Sequence, residues 1–305
     1  MIINKKLYRL TQDELISYMK EQLTFMGVKY QEVAGNIVSL NHYEAPCFVA
    51  HMDTVNDSDM KKPLVIIDNV MKRVGGILGA DDRAGINIIL NWCTDINFIL
   101  TRDEEIGAVG ARALTMNGIE KLLKEFSVPC CIELDRAGNS DILGDIHGYC
   151  CNDLQLQLEA VLDKYSSAIG VFTDIDEFIE FIPCCNLSVG YHKQHTNKEY
   201  LKIDQFKYIN DKIPELAAIR GNFELPDMAL AWGSYDTLDP YNQYYRDVDT
   251  STTISGNSKY ECALCGSKHD LKYVWAITGY LCDECREYLY TELSDIRDSE
   301  CLECK

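Results

Sequence analysis

Basic residues are scarce in this chain: 29 Lys and Arg stand against 48 Asp and Glu, a formal net charge of −19 over 305 residues. A surface that grips nucleic-acid phosphates needs Lys and Arg gathered on one face, so that class of partner is not expected. Long apolar runs are also missing, and Met1-Ile2-Ile3-Asn4-Lys5-Lys6 lacks the architecture of a signal peptide. Neither a membrane span nor export is therefore expected, and the expected location is the cytoplasm. No internal repeat is visible. What remains is an ordinary globular composition, 47% hydrophobic and 25% charged, with length for one large domain and an appendage. The acidity itself suits cationic or amine-bearing ligands.

Cysteine is the residue in excess, with 14 in the chain. In a reducing compartment these are thiols or metal ligands rather than disulfides. Cys47, Cys93, Cys130, Cys131, Cys150, Cys151, Cys184 and Cys185 are scattered or adjacent, several within apolar runs, and read as small buried hydrophobes. The last six fall in Cys-x-x-Cys pairs. Cys262, Cys265, Cys282 and Cys285 match a four-cysteine structural zinc site. Gly266 suits a knuckle turn and Lys272 to Ile277 one arm of a hairpin, so residues 259–305 look like a zinc ribbon with a tail. Cys301 and Cys304 could compete for the same metal. The first two pairs are preferred because aromatic and apolar residues between them can form a small core, whereas Arg286 to Glu300 is mostly polar. The alternative is six unligated thiols. The ribbon's lysines and arginine are offset by Glu261, Asp270, Asp283, Glu284 and Glu287, which favours a stabilising or protein-docking role.

Upstream, strands alternate with helices, the pattern of an α/β fold with a mostly parallel mixed sheet flanked by helices. Thr11 and Glu14 form a capping box for a helix running to about Met26. Strands are expected at Asn36 to Leu40, Pro46 to Ala50, Phe98 to Thr101, Pro129 to Leu134 and Cys184 to Tyr191. Further strands are expected at Ile142-Leu143 and at Leu154 to Leu158, although the latter could begin a helix. Helices are expected from Asp81 to about Trp92, Gly107 to Leu114, Ile119 to Phe126, Ile175 to Phe181 and Ile203 to Leu216. The catalytic domain is drawn as 1–220. Residues 221–258, rich in Tyr, Asp, Asn and Gly, form a linker or packing arm.

Several strands end in metal-binding chemistry. His51 follows Ala50, Asp103-Glu104-Glu105 follow Thr101 and Arg102, Asp135 follows Leu134, and His195 lies just past Tyr191. Asp81 stands at the entry to a helix. Parallel strands bring their carboxyl ends to one edge, where open α/β sheets bind ligands. Two imidazoles and several carboxylates make a mixed N/O site suited to zinc, with cobalt or manganese as substitutes. Adjacent acids can divide the work, one holding a metal and the other handling a proton. Singly each residue has an ordinary alternative: His51 in the core, Asp81 or Asp82 as a helix cap, Asp135 in a turn, His195 on the surface like His192, His42 and His147. Their convergence outweighs those alternatives.

The motifs His51-Met52-Asp53-Thr54, Gly79-Ala80-Asp81-Asp82-Arg83-Ala84-Gly85, Thr101-Arg102-Asp103-Glu104-Glu105-Ile106-Gly107, Glu133-Leu134-Asp135 and His195-Thr196-Asn197-Lys198-Glu199 resemble those of the co-catalytic di-zinc aminopeptidases and related exopeptidases, over residues 10–215. The resemblance implies peptide or aminoacyl substrates and two zinc ions bridged by Asp81. His51 and Asp135 would complete one shell, and Glu105 and His195 the other. Glu104 would be the general base and Asp53 the partner orienting His51. It also implies a cis peptide between Asp81 and Asp82. The intervals from His51 to Asp81 and from Asp135 to His195 leave no room for an inserted domain, which points to a compact aminopeptidase. An N-acyl amino acid deacylase on the same scaffold, or a degenerate module acting through its ribbon, are the rivals.

Overall fold

The structure, a computed structural model, describes residues 3–146, 149–150, 152–169, 173–225, 271–274 and 279–282. The chain divides into two units, Met1–Ala231 and Trp232–Lys305.

The first unit begins with α1 (Gln12–Phe25), whose capping box is formed as Thr11 and Glu14 each accept from the other's backbone N–H. Its Leu15, Met19 and Leu23 recur every fourth residue and are buried. There follow β1 (Gln31–Val33), β2 (Asn36–Ser39), β3 (Cys47–His51), β4 (Leu64–Ile67), β5 (Val70–Arg73), α2 (Ala80–Trp92), β6 (Asn97–Thr101), α3 (Val109–Met116), α4 (Ile119–Glu125) and β7 (Cys131–Arg136). Then come β8 (Asp141–Ile146), β9 (Tyr149–Cys150), α5 (Asn152–Val161), β10 (Ser166–Ile169), β11 (Cys184–Ser188), β12 (Tyr191–His192), β13 (Tyr200–Lys202) and α6 (Ile203–Ala217).

The main sheet has the order β1-β2-β6-β3-β7-β11-β8-β10, with β9 on β8. The central strands β6, β3, β7 and β11 are parallel, β1 pairs antiparallel with β2 and β2 with β6, and β8 runs antiparallel to β11 but parallel to β10. Successive side chains of a strand point to opposite faces, and the core divides accordingly. Phe48, Ala50, Leu100, Ile132 and Leu134 belong to one cluster with α1, α2 and α6. Cys47, Val49, Ile99 and Cys131 belong to the other, with Ala111, Leu114, Ile119, Leu123, Ile175 and Phe178. Cys47, Cys93, Cys130, Cys131, Cys184 and Cys185 are buried and unlinked, as small hydrophobes are. A second sheet, β12-β13-β5-β4, is antiparallel throughout.

Three expectations are corrected. Leu154 to Leu158 is not a strand but lies in α5: Leu154, Leu158 and Leu162 are buried while Leu156 is 63% exposed, so one helical face packs. The strand expected to reach Tyr191 stops at Ser188, because Gly190 turns the chain with φ 96° and Tyr191 joins the second sheet. The segment after Thr173 is a single 3-10 turn, Asp174–Glu177.

In the second unit, β14 (Leu271–Val274) and β15 (Gly279–Cys282) pair antiparallel, with Leu271 opposite Cys282. Cys262, Cys265, Cys285, Cys301 and Cys304 lie outside the described residues, and for Cys282 only the strand is described. No helix among the described residues is long and apolar enough to cross a membrane.

Candidate metal centre

β3, β6 and β7 are neighbours in the parallel part of the main sheet, and their carboxyl ends deliver His51, the Glu104-Glu105 pair and Asp135 to one edge. Asp81 enters at the start of α2, and the β12–β13 hairpin brings His195 across from the second sheet. His51 Nε2 lies 3.0 Å from Asp81 Oδ1 and 3.6 Å from Asp135 Oδ2. His195 Nε2 lies 3.1 Å from Asp81 Oδ2 and 3.0 Å from Glu105 Oε2. The two oxygens of one carboxylate thus face two different histidines. Two groups able to hold a cation result, His51 with Asp81 and Asp135, and Asp81 with Glu105 and His195, the ligand atoms of each within 4.8 Å of one another.

Other side chains hold these groups in place. Asp53 faces His51 Nδ1 at 3.2 Å and accepts from the backbone N–H of Glu104 at 2.9 Å and of Glu105 at 3.0 Å. Asp82 accepts from the backbone of His51 and of Gly85, across the cis peptide that joins it to Asp81. Gly85 is required there, since a Cβ would lie 2.5 Å from both Asp82 Oδ2 and the Leu134 carbonyl. The Tyr191 hydroxyl donates to Asp135 Oδ1 at 2.9 Å, and Asn186 bonds the Asp135 backbone on both sides. Asp103 is turned away, its carboxylate taken by Gln12 and Arg102.

Negative charge is in surplus. Asp53, Asp81, Asp82, Glu104, Glu105 and Asp135 meet here, with Glu133 and Asp174 buried beneath. Arg83, buried beside them, donates to the carbonyls of Met52, Asp53 and Leu10. Burial, reinforced by Asp135 and Asp174 against His51, pushes Glu104 up to about 9. Burial and Asp81 push Asp135 to about 7, and burial pushes Asp174 to about 7. Burial disfavours a charged His195, yet Asp81 and Glu105 overcome it and raise the imidazole to about 11. Asp53 stays below its usual range because the bonds from His51, Glu104 and Glu105 outweigh its burial. A buried site that drives Glu104, Asp135 and Asp174 toward protonation and its imidazoles toward positive charge favours added cations. Glu105 Oε1, buried without a hydrogen-bond partner, supplies a further oxygen donor. Two nitrogens and carboxylate oxygens fit zinc, cobalt or manganese.

No family model matches the chain. The uncharacterized protein YqjE of Bacillus subtilis (strain 168) is 29% identical over 126 residues, a match that spans 33% of this chain and 33% of that relative. Among solved structures, the aminopeptidase PepT of Bacillus cereus ATCC 10987 superposes with a TM-score of 0.60 at 15% identity, over 70% of this chain and 95% of that one. A tripeptidase from Staphylococcus aureus subsp. aureus Mu50 gives 0.59 at 16% identity, over 70% and 95%. The TET1 peptidase of Pyrococcus horikoshii, which can assemble into a tetrahedron or a large octahedral shell, gives 0.54 at 15%, over 70% and 97%. The fold is the one these peptidases share.

Within that peptidase fold, His51, Asp53, Asp81, Glu105, Asp135 and His195 come together through their side chains. Glu104 joins them through its backbone bond to Asp53. The four ribbon cysteines are not among the described side chains. Sequence reasoning gave no role to Tyr191, Glu199, Glu133 or Asp174. Glu133 had a signal available, since residues two apart on a strand share a face and Asp135 was already marked. Tyr191 and Glu199 flank His195 in a hairpin, where no helical or strand period says which side chains turn inward.

Proposed function

We propose that the chain is a metal-dependent hydrolase of peptide bonds, most simply an aminopeptidase with two zinc ions. His51, Asp81 and Asp135 would hold one ion and Asp81, Glu105 and His195 the other. The observation that carries the reading is the Asp81 carboxylate, which offers one oxygen to each histidine. Bound there, the ions would polarise the scissile carbonyl and make the attacking water more acidic.

The chain's own groups do the rest. Glu104 stands next to the ligand Glu105, with its backbone N–H fixed on Asp53. It takes the proton of the attacking water and returns it to the departing amine. Burial and the neighbouring acids make that carboxyl a strong proton acceptor. Asp53 at 3.2 Å from His51 Nδ1 fixes the tautomer that leaves Nε2 free to ligate. Tyr191 does the equivalent for Asp135, occupying Oδ1 so that Oδ2 faces His51.

The decisive assay compares a dipeptide bearing a free amino terminus with its N-acetyl counterpart, using chelated and zinc-reconstituted protein. Zinc-dependent cleavage of the free-amine substrate supports the aminopeptidase. Preference for the acetylated one would make the chain a deacylase on the same scaffold, and inertness toward both would make the centre a degenerate binding site. In this reading residues 1–220 form the catalytic domain, 221–258 an arm and 259–305 a ribbon. Cys262, Cys265, Cys282 and Cys285 hold a third, structural zinc there, and the ribbon docks a protein partner. The protein works in the cytoplasm.

A further inference from the structure

Helix α2 begins without a cap of its own. Its N-cap is Gly79, left-handed at φ 71° and without a side chain to accept from the first amide groups. Glu199 accepts them instead, from a position 118 residues distant from Asp81 in sequence. Its carboxylate takes the N–H of Gly79 at 2.8 Å, of Ala80 at 2.8 Å and of Asp81 at 3.1 Å. Glu199 is 2% exposed. Asp81 itself is not helical (φ −80°, ψ 101°), and its N–H is held by Glu199.

The other end of this contact is equally constrained. Glu199 immediately precedes β13, and β13 is paired to β12 on one side and β5 on the other. His195 sits in the turn of that same hairpin, at φ 59°. One carboxylate therefore ties the turn that carries His195 to the backbone that carries Asp81. Both residues serve the cation group completed by Glu105. The group completed by Asp135 shares Asp81 but takes His51 and Asp135 from β3 and β7, where Asp53 and Tyr191 hold them.

We propose that Glu199 is a positioning residue that sets the spacing of Asp81 and His195 and so governs the affinity of the Asp81–Glu105–His195 metal subsite, with a smaller effect on the subsite that shares only Asp81 with it. The inference rests on the two-metal reading above. In Glu199→Gln the amide nitrogen cannot accept a hydrogen bond, so at least one of the three amide contacts is lost while side-chain volume is kept. Losing one charge-assisted bond corresponds to about a tenfold or greater weakening. Glu199→Ala loses all three.

The test titrates metal-free, full-length protein with Mn2+, which favours nitrogen and oxygen donors over the ribbon thiolates. Electron paramagnetic resonance reports both the free ion and the spin coupling of a bound pair. The wild type should bind two equivalents as a coupled pair. Glu199→Gln should bind the second equivalent at least about tenfold more weakly and the first with a smaller loss, with the coupled signal reduced at two added equivalents, and equal weakening of both would overturn the proposal. A purely structural role would instead lower the melting temperature and leave both affinities and the coupling intact, and that result overturns the proposal. If Glu199→Ala fails to fold, Glu199→Gln decides alone. A wild type that binds fewer than two ions at this centre overturns the two-metal reading itself and the proposal with it.

Discussion

Asp53→Asn is the substitution whose effect can be worked furthest from the geometry. Asp53 is buried and faces three donors: His51 Nδ1 at 3.2 Å, Glu104 N at 2.9 Å and Glu105 N at 3.0 Å. The first two share Oδ1 and the third uses Oδ2. Asparagine has one acceptor oxygen. If it occupies the Oδ1 position, the amide nitrogen meets the Glu105 N–H donor to donor, and that bond is lost. A hydrogen bond to a charged group contributes about 1.5–3 kcal/mol, and the two surviving bonds also weaken because the acceptor is now neutral. Removing such a partner from a metal-ligating histidine costs about 10–100-fold in metal affinity or activity. The assay is zinc competition against a chromophoric chelator, with the melting temperature of the metal-free protein measured alongside. Zinc affinity should fall by at least about tenfold at one or both ions. Affinities within about twofold of wild type would refute the role given to Asp53, whatever happens to the melting temperature.

Glu104→Gln should retain its metal, since Glu104 is not among the grouped ligands, yet lose about 10²–10⁴-fold in kcat if it carries the proton; retained turnover would assign that task to another group. Tyr191→Phe removes the donor to Asp135 Oδ1 and should weaken zinc binding by about 1 kcal/mol, roughly fivefold, read by the same competition assay. Gly85→Ala forces a Cβ to within 2.5 Å of the Leu134 carbonyl and should cost about 1–3 kcal/mol, seen as a melting temperature several degrees lower. An unchanged melting temperature would mean that α2 can move away from β7.

The strands that carry the candidate centre were legible because each ends abruptly, an apolar run closing on His51, on Glu104-Glu105 or on Asp135. Parallel neighbours share an edge, so placing those residues on strand ends was enough to bring them together. Leu154 to Leu158 misled for a definite reason: Leu-Gln-Leu-Gln-Leu alternates like a half-buried strand, yet the same residues with Leu162 satisfy a four-residue helical spacing. Packing chose the helix, leaving Leu156 at the surface. His195 came from an unexpected quarter, since Gly190 ends the main-sheet excursion and the histidine arrives from a hairpin of the second sheet. Glu199 was hidden for a related reason. Its partners are backbone amides 118 to 120 residues away, and no side-chain pattern announces them.

Everything proposed for this centre turns on Asp81 lying between two metal ions. Anomalous diffraction from zinc-loaded crystals tests it directly. Two peaks about 3.5–4 Å apart are expected, one beside His51 and Asp135 and the other beside Glu105 and His195, with the Asp81 carboxylate between them. A single peak, or none within reach of Asp81 at full zinc loading, would contradict it.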